Sequence, residues 1–234
     1  MNLIKEKWYK KDIYEFQEYL KTYKNENRVE WTKKIINTSL PCLAITSPSI
    51  KSIVKEILKG NYLSFLDLMI WEYYDNTAIN GLLISKIKDF DVMKKYLDIY
   101  SSKADNWATC DTLSFNVKGN EERFLDLAKE YFKSKFPFVR RIGMEAMFKL
   151  IDNDKYVNDA FELLDKFYYE DDYYVNMINA WLLCDLFIKR REETLKYLAN
   201  NKLNDFTLNK MISKCRDSYR VSQDDKDMLL KCKR

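Results

Sequence analysis

Histidine is absent from the 234 residues of this chain. That gap excludes His-based triads, most zinc catalytic sites and the commonest general base. Glycine (4) and proline (3) are scarce, so turn formers are too few for a hairpin-rich sheet protein. No Gly-rich phosphate loop occurs. The cysteines at 42, 110, 184, 215 and 232 are scattered, odd in number and never in C-x-x-C spacing. Neither a zinc pattern nor a disulfide framework is written there, and a reduced, cytoplasmic setting is the expectation. The opening residues Met1 to Trp8 hold no apolar signal core, and no run of about 18 apolar residues is present to span a membrane. Chemistry, if any, must rest on carboxylate, Lys, Tyr, Cys or Arg side chains, with no metal and no cofactor expected.

What is present is a chain rich in apolar and aromatic residues. Apolar residues make up 47% and charged residues 32%, the balance of a folded protein rather than a disordered one. At this length a sizeable core needs no staples. The net charge of +4 permits an anionic partner without demanding one.

The hydrophobic period is helical nearly throughout. It predicts helices at about 9–24, 27–38, 48–59, 61–73, 77–87, 89–101, 105–117, 120–133, 136–151, 154–168, 172–189, 191–200, 205–216 and 222–231. Several boundaries have a mechanism. Thr46-Ser47-Pro48 offers a cap residue followed by proline at the first helical position. Gly60 is a stop signal, Asn120 precedes the acids Glu121 and Glu122, and Ser222 to Asp225 resembles a capping box. Short connections make neighbours antiparallel. The reading is all-α: a stacked α-solenoid of degenerate units in a single domain, 1–234, with a globular helical bundle as the runner-up. A solenoid supplies a curved inner surface several helices long.

A few residues stand off the core stripes. Trp107 and Asp111 lie one turn apart in Asn106-Trp-Ala-Thr-Cys-Asp111, away from the stripe of Cys110, Leu113 and Val117. Taken alone, the pair reads more readily as a packing aromatic and a solvated acid. Arg141 projects opposite the stripe of Val139, Ile142, Ala146 and Leu150, where a surface pair with Glu145 suffices to explain it; Arg140 stands beside it. Trp181 sits in a helix that is apolar most of the way round, so core packing is the plainer reading. Arg216 and Arg220 fall four residues apart, a repulsive spacing on a helix unless Asp217 or a phosphate lies between. Spacing leaves the choice between structure and site open.

The order of these motifs resembles the bacterial DNA alkylation repair family, the alkylpurine DNA glycosylases built from HEAT-like repeats. The matching residues are Asn106-Trp107-Ala-Thr-Cys-Asp111, Arg140-Arg141-Ile-Gly, Tyr173-Tyr174-Val-Asn-Met177-Ile-Asn-Ala-Trp181-Leu-Leu, and Lys214-Cys-Arg216-Asp-Ser-Tyr-Arg220-Val-Ser222. The likeness runs from about Pro41 to the C-terminus. It departs at Asn106, where the best-known members carry a further aromatic.

The resemblance implies a C-shaped HEAT-like solenoid whose basic cleft holds duplex DNA. It implies an enzyme that hydrolyses the N-glycosidic bond of cationic N3- or N7-alkylated purines. It implies Asp111 as the catalytic carboxylate, Trp107 and Trp181 as aromatics around the lesion, and Arg141 as a phosphate contact, with Arg140, Arg216 and Arg220 as further basic candidates. A cytoplasmic monomer is expected. The alternative is a helical-repeat module that binds DNA or protein and has lost excision.

Overall fold

The computed structural model describes residues 1–234. It is all-helical, with 14 α-helices, two single 3-10 turns and no strand. None of the helices is long and apolar enough to cross a membrane. The chain divides into two compact units, Met1–Asn116 and Val117–Arg234.

The first unit comprises α1 (Asp12–Lys21), α2 (Val29–Ile36), α3 (Ser47–Ile57), α4 (Tyr62–Leu66), α5 (Tyr74–Ile84), α6 (Phe90–Lys103) and α7 (Trp107–Asp111). Its core opens with three rings in edge-on contact: Trp8 lies 5.7 Å from Phe16 and 5.0 Å from Phe65, and the two phenylalanines 5.1 Å apart. Such pairs add about 0.5–1.5 kcal/mol each beyond their area. The segment before α1 runs over Gly60, where a Cβ would come within 2.5 Å of the Lys5 carbonyl oxygen. Gly60 is therefore a close-approach residue as well as a stop: the next amide, Asn61 N–H, donates to that carbonyl at 2.8 Å. Asp75 in the first turn of α5 is buried and accepts from the amides of Leu43 (2.7 Å) and Ile45 (2.8 Å). It thereby holds the turn around Ala44, whose φ is 54°.

The second unit comprises α8 (Glu121–Phe132), α9 (Pro137–Leu150), α10 (Val157–Asp165), α11 (Tyr173–Lys189), α12 (Arg191–Leu198), α13 (Asp205–Asp217) and α14 (Gln223–Leu230). Here α8 packs on α9, α9 on α11 and α11 on α13, so each layer rests on the one before, as stacked helical units do. Gly143 lets α9 approach α8: a Cβ there would stand 2.9 Å from the Cβ of Tyr131.

Two helices are much shorter than the periodicity predicts. The helix expected at 61–73 is α4, which ends at Leu66; Met69 then takes φ 37°, and the Ile70 carbonyl accepts from the buried Asn80 amide at 2.7 Å. The helix expected at 105–117 is α7, five residues long. Beyond Thr112, Leu113 and Phe115 are buried while Ser114 between them is exposed. Apolar residues two apart belong to extended chain, and the Ser114 amide is tied to the Ser85 hydroxyl at 2.9 Å.

Candidate functional site

In the first unit the candidate residues ride on α7. A helix of one and a half turns has no stability of its own, so its position must come from its surroundings. Asn106 is the N-cap: its Oδ1 accepts from the Thr109 amide at 2.8 Å, and its Nδ2 donates to Asp105 Oδ1 (2.7 Å) and Thr109 Oγ1 (2.9 Å). The Thr109 hydroxyl meets that of Thr77 on α5 at 2.9 Å. The Tyr100 hydroxyl on α6 donates to the carbonyls of Thr109 (2.8 Å) and Thr77 (3.1 Å). Asp105, just before the cap, accepts from the Ser39 amide (2.8 Å), the Ser39 hydroxyl (2.6 Å) and the Thr38 hydroxyl (3.1 Å).

Trp107 donates its indole N–H to the Ile35 carbonyl at the end of α2, 3.2 Å away. The result is a pinned turn that carries Trp107 and Asp111, both half-buried, one turn apart. Burial pushes the Asp105 carboxyl up, but hydrogen bonds from Ser39, Asn106 and Thr38 outweigh it and hold the group below its ordinary value. Burial, followed by the charges of Asp75, Cys42 and Asp111, pushes the neighbouring Tyr74 hydroxyl well up, so it stays protonated.

In the second unit the arginines differ from the wheel reading. Arg141 is only 2% exposed, and its Nη1 donates to the Tyr174 carbonyl at the start of α11, 2.6 Å away. The wheel puts it opposite the apolar stripe of α9. That side is not solvent, because α9 is packed between α8 and α11. Arg140 makes a two-pronged bond to Glu170 (2.7 and 2.8 Å) and a third bond to the Ser134 carbonyl (2.9 Å).

Trp181 departs in the other direction. It lies on an apolar helix yet is 47% exposed. The Lys214 ammonium of α13 stands 4.1 Å from its ring centre. Burial lowers the Lys214 pKa from its ordinary value; the charges of Arg141 and Lys210 add to this, against an opposing pull from Cys184 and Asp217. Further aromatic contacts join α11 to its neighbours, with Phe138 of α9 5.5 Å from Tyr174 and Phe206 of α13 5.8 Å from Tyr173. Lys214 and this aromatic row were not singled out as site residues from spacing. The signal available was the spacing of Phe206, Lys210 and Lys214, four residues apart on one helical face.

Arg216 and Arg220 do not stack on one helix, because α13 ends at Asp217 and Arg220 falls in the turn after it. Arg216 lines a polar cavity of about 330 Å³ together with Asp217, Gln223, Lys226 and Asp227. Arg220, half exposed, reaches Asp185 at 3.7 Å.

A family model described as DNA alkylation repair enzyme matches residues 16–214. The match begins within α1, earlier than the motifs alone indicate, and takes in Trp107, Asp111, Arg140, Arg141 and Trp181. It ends at Lys214, ahead of Arg216 and Arg220. No curated protein matches the chain.

Proposed function

The chain belongs to the DNA alkylation repair enzyme family, and from that premise we propose that it hydrolyses the N-glycosidic bond of cationic N3- and N7-alkylated purines in duplex DNA. The observation that carries this reading is the pinned turn of α7. Four separate hydrogen-bonded ties, through Asn106, Thr109, Asp105 and the Trp107 indole, fix a five-residue helix that carries an indole and a carboxylate, both half-buried. A merely solvated acid needs no such support, whereas a catalytic group needs its geometry held.

The chemistry suits a chain without histidine. A cationic alkylpurine is already a good leaving group, so no acid need protonate it. Departure builds oxocarbenium character on the deoxyribose, as in glycoside cleavage generally. Asp111 stabilises that charge and orients or deprotonates the attacking water. Trp107 and Trp181 supply faces that attract a cation, by about 0.5–2 kcal/mol each. At Trp181 the Lys214 ammonium already lies over the indole, which is 47% exposed, so a cationic base competes with it for that ring. Phosphate contact by Arg140 and Arg141 rests on the resemblance; Arg216 and Arg220 have exposure in their favour. The substrate is met by a monomer in the cytoplasm.

The test is release of free base from a duplex carrying 7-methylguanine or 3-methyladenine under single-turnover conditions. Asp111→Asn is expected to slow release by about 100-fold or more, the scale of a lost charge-stabilising group. A wild-type protein that binds the duplex and frees no base defeats the excision reading. The Lys214–Trp181 contact favours a second reading, a module that binds DNA without excising, and the same assay separates the two.

A further inference from the structure

The second unit carries an exposed strip of which the excision reading uses one ring only. There α11 and α13 lie side by side and run the same way. Tyr173 at the start of α11 meets Phe206 at the start of α13, ring centres 5.8 Å apart, and Trp181 further along α11 meets Lys214 further along α13 at 4.1 Å. Residues one and two turns apart share a helix face, so two rows lie against each other: Tyr173, Met177 and Trp181 on one helix, Phe206, Lys210 and Lys214 on the other. Each row rises about 12 Å, about the span of three to four stacked bases. Large rings are costly to leave in water, yet Tyr173 is 52%, Trp181 47% and Phe206 38% exposed. The two ammonium groups lie over rings, Lys210 5.5 Å from the Phe206 centre and Lys214 over Trp181, and no carboxylate belongs to either row. The acids stand beyond the ends: Asp171 and Asp205 before the start, Asp185 and Asp217 after Trp181 and Lys214.

We propose that this strip binds an unpaired stretch of nucleic acid, about three nucleotides long, with bases stacked on Tyr173, Phe206 and Trp181 and phosphates drawn to Lys210 and Lys214. Exposed rings interleaved with cations fit a strand in which π faces and phosphates alternate. The rings also choose between partners. A duplex hides its base faces in its own stack, so it can use the lysines but not the rings of Tyr173 and Phe206. An unpaired strand uses both. Stacking needs only a π face, so no base sequence is selected. The strip lies wholly within the second unit, and holding a strand there calls for neither Asp111 nor base release.

The test is fluorescence anisotropy of the full-length protein with a labelled, lesion-free oligothymidylate of about 12 nucleotides, run beside a lesion-free duplex of the same length. Tyr173→Ala and Phe206→Ala should each weaken single-strand binding by about fivefold or more, the scale of one lost stacking partner, and change duplex binding by less than about twofold. Tyr173→Phe keeps the ring and should bind as wild type does. Lys210→Ala should make the single-strand salt slope shallower by about 0.7. Photocrosslinking of wild type to the same strand carrying 5-iodouracil should map to Tyr173, Phe206 or Trp181, and it answers the question even if a variant does not fold. The proposal is overturned by no saturable single-strand binding, by unchanged affinity in both alanine variants, by an equal loss for the duplex, or by crosslinks confined to other residues. Displacement by polyglutamate as readily as by unlabelled strand also overturns it, and assigns the strip to an acidic peptide. The oligonucleotide carries no alkylated base, so the two readings fail separately. Strand binding without base release from a lesion duplex removes excision alone, and base release with ring variants indifferent to the strand removes the strip alone.

Discussion

Asn106 and Asp105 do their work through hydrogen bonds rather than burial of apolar surface. Asp105 binds its proton more weakly folded than unfolded, because Ser39, Asn106 and Thr38 favour the carboxylate more than burial opposes it. The direction of the pH effect follows. A carboxyl whose folded pKa is depressed contributes its stability in full above the unfolded value, about 3.9, and loses it as the pH falls through the folded value. Asp105→Asn should therefore lower stability at neutral pH and flatten the acid limb below about pH 4, as urea unfolding across this range will show. An acid limb identical to wild type removes Asp105 from the set of ties that hold α7. The cap itself was open to sequence reasoning, since Asn before a helical run with Thr three residues on is capping chemistry. The environments of Arg141 and Trp181 were not. A helical wheel knows one helix, and what lies on the far side of α9 or α11 is decided by helices dozens of residues away.

Helices were the most legible level. All fourteen expected from periodicity and caps are present, because helical period, scarce glycine and cap residues agree with one another along most of the chain. The Ser222 cap forms as expected, accepting from the amide of Asp225, whereas α3 starts one residue earlier than proline at the first helical position implies, with Thr46 as its cap accepting from the amide of Ser49. The period misleads only at α4 and α7, where apolar residues continue past the helix end, into a turn with Met69 at positive φ after α4 and into alternating chain after α7. Helix crossings are less legible, and Gly143 shows why. From sequence it is a helix-weakening residue inside α9, and replacing it by alanine should gain about 1 kcal/mol of helix propensity. In the structure the added methyl meets the Tyr131 Cβ at 2.9 Å and the Ala128 carbonyl oxygen at 3.4 Å. A side-chain Cβ cannot swing away, so the α8–α9 crossing must open, at a cost of about 1–3 kcal/mol. The steric term outweighs the propensity gain. Gly143→Ala should lower the melting temperature by a few degrees, about 2–4 °C per kcal/mol for a chain of this size. A melting temperature above wild type means that the crossing has slack.

At the scale of the molecule, the net charge of +4 is too small to predict tight DNA binding, so the disposition of individual cations matters more than their sum. Arg140 and Arg220 are equivalent in sequence terms, each a single guanidinium, but the structure gives them opposite consequences. Arg140 is committed: Glu170, itself nearly buried, accepts two bonds from it, and the Ser134 carbonyl a third. Withdrawing it leaves a nearly buried carboxylate with the Asp172 amide as its remaining partner, a loss of up to about 3–5 kcal/mol in comparable pairs. Arg220 is spendable: half exposed and 3.7 Å from Asp185, it is worth about 0–1 kcal/mol to the fold. If Arg220 contacts a phosphate, it releases counterions on binding, and the slope of log affinity against log salt becomes shallower by about 0.9 when it is removed. Arg220→Ala should therefore flatten the salt dependence of duplex binding between about 50 and 200 mM salt while the melting temperature hardly moves. Arg140→Ala should do the reverse, with a large fall in melting temperature. Fluorescence anisotropy with a labelled duplex, run beside thermal melts of both variants, measures both quantities. If the salt slope of Arg220→Ala equals that of wild type, Arg220 touches no phosphate, and the exposed Arg216 is the next to test.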